Sequence, residues 1–290
     1  MNGIILIDKA TGPTSHDTVA RLRRILKERR VGHAGTLDPI ASGLLVVFIG
    51  RATRAAEFVE NDEKEYVAGL RLGIDTDTSD ITGKIRRAAE ANVSKEDIKS
   101  ALECFRGDIE QIPPMYSAIK QNGQRLYKLA RKGIEVERKP RPATITALEV
   151  IGESGGDILL GVKCSKGVYI RSLCRDIGEK LGCFGVMSSL RRVSSGRFSV
   201  DNAVSEDEAE RMAHEGRIED RILPTDSLFD KHPSFSVDPG QEKKCRAGAP
   251  FEADAPDGPV RVYSGRGQEF LMLGNAADGV IHTVKSFFEV

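Results

Sequence analysis

The chain has 290 residues, and 43 Lys and Arg stand against 43 Asp and Glu, so its formal net charge is zero at neutral pH. With 40% hydrophobic and 30% charged residues it has the composition of a soluble protein, long enough for about two domains and a full core. A uniformly basic glove for nucleic acid is excluded, so any such binding has to come from local patches. No apolar run approaches the roughly 18 residues of a membrane span. The N-terminus has no basic n-region and meets Asp8 too early for a signal peptide. Five cysteines, an odd number without CxxC spacing, suggest neither a disulfide framework nor a zinc site and point to a reducing cytoplasm.

Residues 3–7 read as a short buried strand, and Ser15 as the N-cap of a helix that turns Val19, Leu22, Ile25 and Leu26 to the core. Its other side carries Arg21, Arg23, Arg24, Lys27, Arg29 and Arg30 with only Glu28 against them, a candidate nucleic-acid-facing patch or a solvated helix face. The next eight residues, Gly32-His33-Ala34-Gly35-Thr36-Leu37-Asp38-Pro39, put two glycines, a histidine and a carboxylate in one turn. Pro39 restricts the backbone of Asp38, and the glycines let a bulky group come close. An apolar run at 44–49 reads as a buried strand. A carboxylate fixed beside the core can serve as nucleophile or base, although an isolated Asp-Pro acid is more often just solvated.

Residues 64–72 alternate as a strand containing Tyr66, whose bland reading is core packing. The loop at 75–80 is rich in Asp and Thr but lacks the final glutamate of a calcium loop. Ser94 and Asp97 form a capping box before a helix with Ile98, Ala101, Leu102 and Phe105. A second basic group, Lys120, Arg125, Lys128, Arg131 and Lys132, precedes two strands at 143–151 and 157–164, joined as a hairpin through Ser154-Gly155-Gly156. A helix follows with Leu173, Cys174, Ile177 and Leu181, stopping near Gly182. Arg171 falls in its first turn, where the helix dipole disfavours a cation, and an anion opposite it would account for that placement. After a helix begun by Ser205 and Glu208 the chain turns loop-like around 224–239. It then gives short strands at 260–263, 270–273 and 280–284, a small β-rich module. The expected domains are 1–225 and 226–290.

Six of these segments together resemble the TruB-type pseudouridine synthases: the loop 32–39, Lys64-Glu65-Tyr66, Arg71-Leu72-Gly73 with 75–80, the run Phe105 to Ala118, Cys164 to Arg171, and Leu190-Arg191-Arg192. Ala10 departs from the family pattern, which usually has proline there. The resemblance implies an α+β fold, a mixed, largely antiparallel sheet flanked by helices, with a PUA-like module at the C-terminus. It implies isomerisation of the uridine conventionally numbered 55 in the tRNA T arm, without metal or cofactor, by a cytoplasmic monomer that binds tRNA and no membrane. On that resemblance Asp38 is the essential carboxylate, Arg171 its cation, and Tyr66 the ring that stacks on the base. His33 enters the T loop, Leu190 packs beside the base, and Tyr169, Asp80, Lys9 and Arg191 contact substrate, with Arg191 and Arg192 nearer phosphates. A non-catalytic RNA-binding or remodelling protein of the same fold is the alternative, and a nucleosidase-like hydrolase using Asp38 is a third reading.

Overall fold

The first strand, β1 (Gly3–Lys9), is buried on both faces, and the antiparallel strand beside it, β3 (Ala41–Ile49), is too. Alternate side chains explain this, because strand neighbours point to opposite faces. Ile5, Ile7, Leu45, Val47 and Ile49 pack on one side with Val19 and Leu22 of α1 (Ser15–Ile25), while Ile4, Leu6, Leu44, Val46 and Phe48 pack on the other. The computed structural model describes residues 1–60, 62–117, 119–121, 123–265 and 269–288; Ala118, the end of one family motif, lies outside them.

The first part of the chain continues with β2 (Val31–Ala34) before β3, then α2 (Ala56–Glu60), β4 (Lys64–Leu72), β5 (Ile74–Thr76) and β6 (Ile85–Ala88). Next come α3 (Lys95–Glu103), β7 (Gly107–Gln111), β8 (Lys120–Gln121), β9 (Gln124–Arg125) and α4 (Leu126–Ala130). A long hairpin, β10 (Arg141–Ser154) and β11 (Asp157–Cys164), leads to α5 (Ile170–Lys180), β12 (Gly185–Ser195), β13 (Phe198–Ser199), β14 (Val204–Ser205) and α6 (Glu206–His214). The remainder holds β15 (Ser234–Val237), α7 (Pro239–Arg246), β16 (Phe251–Glu252), β17 (Gly258–Ser264), β18 (Phe270–Ala277) and β19 (Val280–Ser286).

The large sheet runs β14-β1-β3-β12-β4-β11-β10-β7, with β2 on β3 and β13 on β12. It is mixed and mainly antiparallel; β1 with β14 and β12 with β3 are its parallel pairs. The α+β expectation is met. Helix α5 buries Leu173, Cys174 and Ile177 against Leu70, Leu160 and Met187 of the sheet. The C-terminal strands form a second sheet, β15-β17-β18-β19-β16, around a core of Val260, Val262, Leu271, Met272 and Ile281. Phe229, Leu273 and Phe287 pack instead with Ile4, Leu6 and Phe48, so residues beyond 225 share a core with the first strand.

Several expectations shift. Thr14, not Ser15, caps α1: its hydroxyl accepts from the Asp17 N–H at 3.1 Å and the Asp17 carboxylate accepts from the Thr14 N–H at 2.9 Å. Ser15 is buried, and its hydroxyl donates to the Leu37 carbonyl at 3.0 Å while accepting from the Leu37 N–H at 2.9 Å. The histidine segment is strand β2 rather than turn, and the chain bends only from Gly35, φ +68°. The Asp/Thr loop begins inside a hairpin, since β5 pairs with β6. The stretch read as loop before 239 contains β15, and α7 opens with an Asp238–Gln241 capping box and Pro239 in its first turn.

Candidate active site

Strand β12 lies between β3 and β4 and brings the site together. Leu190 sits opposite Ala41 and Arg192 opposite Gly43 on one side; on the other, Leu190 faces Ala68 and Arg192 faces Tyr66. Asp38 stands in the turn that feeds β3, where the Ala41 N–H donates to the Asp38 carbonyl at 3.0 Å. The buried Leu37 next to it is pinned by Ser15 of α1, so the carboxylate rides on a loop fastened at both ends.

Arg171 enters from the first turn of α5 and its side chain is only 6% exposed, so a burial this deep requires acceptors. One Nη meets the Asp38 carboxylate at 2.9 Å and donates to the Tyr116 carbonyl at 2.7 Å. The other donates to the Thr78 carbonyl at 3.3 Å, with an Asp80 carboxylate oxygen 4.0 Å away. The anion expected opposite this arginine is Asp38. Two carboxylates offset the unfavourable dipole at that helix end. Asp38 keeps 40% of its side chain exposed, so a ligand can reach the charge that Arg171 holds in place.

The half-buried Tyr66 completes the centre. Burial pushes its phenol up, and the guanidinium of Arg192, its cross-strand neighbour, pulls the other way. His33 on β2 meets His16 edge-on, with ring centroids 5.4 Å apart. Burial pushes the His33 imidazole down to about 4, which leaves it neutral at physiological pH. An aimed carboxylate, a buried guanidinium, a phenol and an apolar edge at Leu190 together suit nucleophilic or base chemistry on a flat polar base. Among the described residues no group of three or more His, Cys, Asp or Glu could hold a metal ion, and no helix is long and apolar enough to cross a membrane.

Residues 23–170 match the TruB family pseudouridylate synthase N-terminal domain, about half the chain, and 171–230 match the tRNA pseudouridylate synthase B C-terminal domain. Proteins named tRNA pseudouridine synthase B from Dechloromonas aromatica and Clostridium kluyveri are similar to it. The first is 42% identical over 91% of this chain and 88% of its own length, the second 41% identical over 99% and 100%. A solved structure described as a Cbf5-Nop10-Gar1 complex overlays with TM-score 0.72 at 28% identity, covering 99% of this chain and 85% of that one.

The chain belongs to the TruB family of pseudouridine synthases.

Within this TruB enzyme the structure brings Asp38, Tyr66, Arg171 and Leu190 together, with Asp80 and Tyr169 beside Arg171 and with Lys9 and Arg191 engaged by other groups of the chain. Lys9 is fully buried; its ammonium donates to the Ala10 carbonyl at 2.7 Å and the Ala41 carbonyl at 2.8 Å, and burial pushes its pKa down. It braces the start of β3 instead of meeting solvent. Asp80 is buried behind Arg171, its Oδ1 accepting from the Thr78 hydroxyl at 2.8 Å, the Thr82 hydroxyl at 2.5 Å and the Thr82 N–H at 3.0 Å. Arg191 pairs bidentately with Asp8 at 2.8 and 2.9 Å. Arg192, expected near phosphates, is 1% exposed and donates to the carbonyls of Leu44 and Gly35. Tyr169 is half-buried at the start of α5, and its N–H donates to the Gln111 side-chain oxygen at 2.7 Å. Burial pushes the Tyr169 phenol up, against Ser117 and Arg171.

Sequence reasoning missed the buried role of Arg192, and strand alternation carried the signal. Residues 190 and 192 share one face of a strand, so an inward Leu190 implies an inward Arg192 and an outward Arg191. The basic groups also divide. Lys120, Arg125, Lys128, Arg131 and Lys132 are all exposed, on a segment tied to the site where the Tyr127 N–H donates to the Ser117 carbonyl at 3.1 Å. Arg24, Lys27, Arg29 and Arg30 are exposed as well, whereas Arg21 is engaged by Asp207 at 2.6 Å and Glu210 at 2.5 Å.

Proposed function

We propose that this pseudouridine synthase isomerises uridine 55 in the T loop of tRNA. The carrying observation is the ion pair between the half-exposed Asp38 and the buried Arg171, close to the Tyr66 phenol. Relatives at 41–42% identity bear the name tRNA pseudouridine synthase B, which supports tRNA as the substrate class.

The ionised Asp38 either attacks carbon 1′ of the ribose or removes a proton from carbon 2′. By both routes the bond from carbon 1′ to nitrogen 1 breaks, and its electron pair leaves with the uracil. The base turns and carbon 5 joins carbon 1′, as the bond from carbon 1′ to the Asp38 oxygen breaks or, by the second route, as Asp38 returns the proton to carbon 2′. The hydrogen on carbon 5 then departs as a proton, its bonding pair closes the 5,6 double bond, and nitrogen 1 takes up a proton. Product and substrate are isomers, so the reaction needs neither a redox partner nor external energy. Arg171 keeps Asp38 charged and aimed, Tyr66 stacks on the uracil, and the Tyr66 oxygen takes the carbon 5 proton.

Uridine in a folded T loop is reached by flipping it outward, which costs a few kcal/mol. A neutral His33 ring is suited to fill the vacated space, and Leu190 to pack against the extruded base. The exposed basic groups on α1 and around α4 hold the backbone. We take residues 226–290 to be a PUA-like module that adds RNA contacts away from the reacting base. We take the enzyme to act as a monomer, since one chain suffices to bring the Asp38 carboxylate onto Arg171. Its five free cysteines, four of them buried, fit the reducing cytoplasm.

The test is tritium release from carbon 5 of uridine in a T-arm stem-loop. Release with pseudouridine at the modified position supports the reading. Free uracil in place of pseudouridine would establish a hydrolase, and tight binding without either product a non-catalytic protein.

A further inference from the structure

Arg192 is a cation at the centre of the large sheet, 1% exposed, and among the described residues no carboxylate pairs with it. Its Nε donates to the Leu44 carbonyl of β3 at 2.7 Å, one Nη donates to the Gly35 carbonyl at 2.9 Å, and Arg192 stands directly cross-strand from Tyr66 on β4. A charge buried with only neutral partners is unfavourable for stability, so its placement needs another account.

Two glycines are shaped around it. At Gly35, φ +68°, an added Cβ would sit 3.0 Å from an Arg192 Nη; at Gly43, φ +97°, it would meet the Arg192 carbonyl at 2.3 Å. One glycine clears the side chain and the other the backbone, so loop and strand both close down on this residue. We propose that Arg192 is a positioning residue of the active site, whose guanidinium aims the Tyr66 phenol and fastens the Asp38 loop to the sheet without touching the RNA. The inference rests on the roles assigned above to Tyr66 and Asp38.

The surroundings of the phenol support it. Burial and the Asp38 carboxylate from the loop push the Tyr66 phenol up, and Arg192 from β12 opposes them. The Cys164 thiol is itself pushed up to about 12 by burial and stays neutral. Removing the guanidinium leaves only influences that hold the proton on the oxygen and so weaken it as a base. A planar fork spans the Leu44 and Gly35 carbonyls and keeps its charge beside the cross-strand Tyr66; a lysine ammonium does not reach all three.

The experiment compares wild type, Arg192→Gln and Arg192→Lys in the full chain. Single-turnover tritium release at saturating T-arm RNA is measured across pH, with filter binding of tRNA. The Tyr66 phenol is titrated by carbon-13 NMR of labelled tyrosine and identified by its loss in Tyr66→Phe. Arg192→Gln should bind tRNA within about twofold of wild type but turn over about 100-fold more slowly, recovering as pH rises, with Tyr66 titrating at higher pH. Arg192→Lys should fall between, and it carries the test alone if the glutamine variant does not fold. An unchanged Tyr66 titration together with an unchanged pH profile in either variant would overturn the proposal. Full turnover by Tyr66→Phe would instead refute the role of Tyr66, and the phenol titration would still decide whether Arg192 acts on it.

Discussion

Replacing Arg171 by alanine removes the cation that Asp38 and Asp80 share. The buried Asp80 keeps its three donors on Oδ1 and loses the charge facing Oδ2, while the carbonyls of Tyr116 and Thr78 lose theirs. Breaking a buried ion pair costs about 3–5 kcal/mol, and with Asp38 40% exposed the lower figure of about 3 applies. At about 2 °C per kcal/mol for a large domain, melting should fall by about 6 °C and leave a folded protein. Turnover should fall further: a carboxylate that swings by an ångström forfeits about 100-fold, before any loss of charge stabilisation. Thermal melting and single-turnover tritium release at saturating RNA measure the two effects separately. Adding Asp80→Asn to Arg171→Ala should recover part of the stability and none of the turnover, because Asp80 acts through the arginine. An Arg171→Ala enzyme with weak binding but normal saturated turnover would refute the pairing argument.

Asp38→Asn keeps the shape and loses the charge, so tritium release should vanish while filter binding of tRNA stays equal or tightens as a carboxylate near phosphates is removed. Tyr66→Phe should bind tightly and stall after base detachment, whereas Tyr66→Leu should lose affinity too; equal full activity in both would place Tyr66 among core residues. His33 has its pKa lowered from 6.5 to about 4, so the unfolded chain binds the extra proton between those values. That contribution to stability is present above pH 6.5, is lost as pH falls toward 4, and amounts to about 3 kcal/mol at most. Denaturant unfolding at pH 7 and pH 4.5 should show a smaller acid loss for His33→Gln than for wild type, and equal losses would contradict a buried neutral ring. Truncation after residue 225 removes Phe229, Leu273 and Phe287 from the core that covers Ile4, Leu6 and Phe48, so circular dichroism and melting should reveal a less stable, aggregation-prone protein.

Much of this architecture was legible in the chain because local signals agreed with it. The strand at Lys64–Leu72, the hairpin turning at Ser154-Gly155-Gly156, the Ser94 cap and the stop at Gly182 each carry their own chemistry and needed no partner to be recognised. Helix α7 carried such a signal too, an Asp-Pro-x-Gln start, but it lay among prolines and charges that read as loop. The site divided differently. That Asp38, Arg171 and Tyr66 belong together came from motif resemblance, since residues this far apart become neighbours only through sheet order. By resemblance Lys9 and Asp80 contact substrate and Arg192 lies near phosphates, roles that suit exposed side chains, as these usually are. The burial of Lys9 depends on the Ala41 carbonyl and that of Asp80 on donors from Thr78 and Thr82, which no local pattern reveals, whereas strand alternation did mark Arg192 as inward.

The two-sided burial of β1 bears on how the chain is made. On one edge this strand pairs with β3, but its other edge waits for Val204 and Ser205, and Ile4 waits for Leu223. At about 5–20 residues per second, the partners roughly 200 positions downstream leave the ribosome some tens of seconds after β1 itself. Through that interval Ile5 and Ile7 can be covered by α1, whereas Ile4, Leu6 and Phe48 remain without Phe229 and Phe287. Closure of the sheet is therefore a late, long-range step, slow for the same reason that sheets rich in distant pairings fold slowly. A nascent chain stalled before residue 204 would present an open β edge above an uncovered apolar face, the form in which this protein is most exposed to aggregation and most in need of a chaperone.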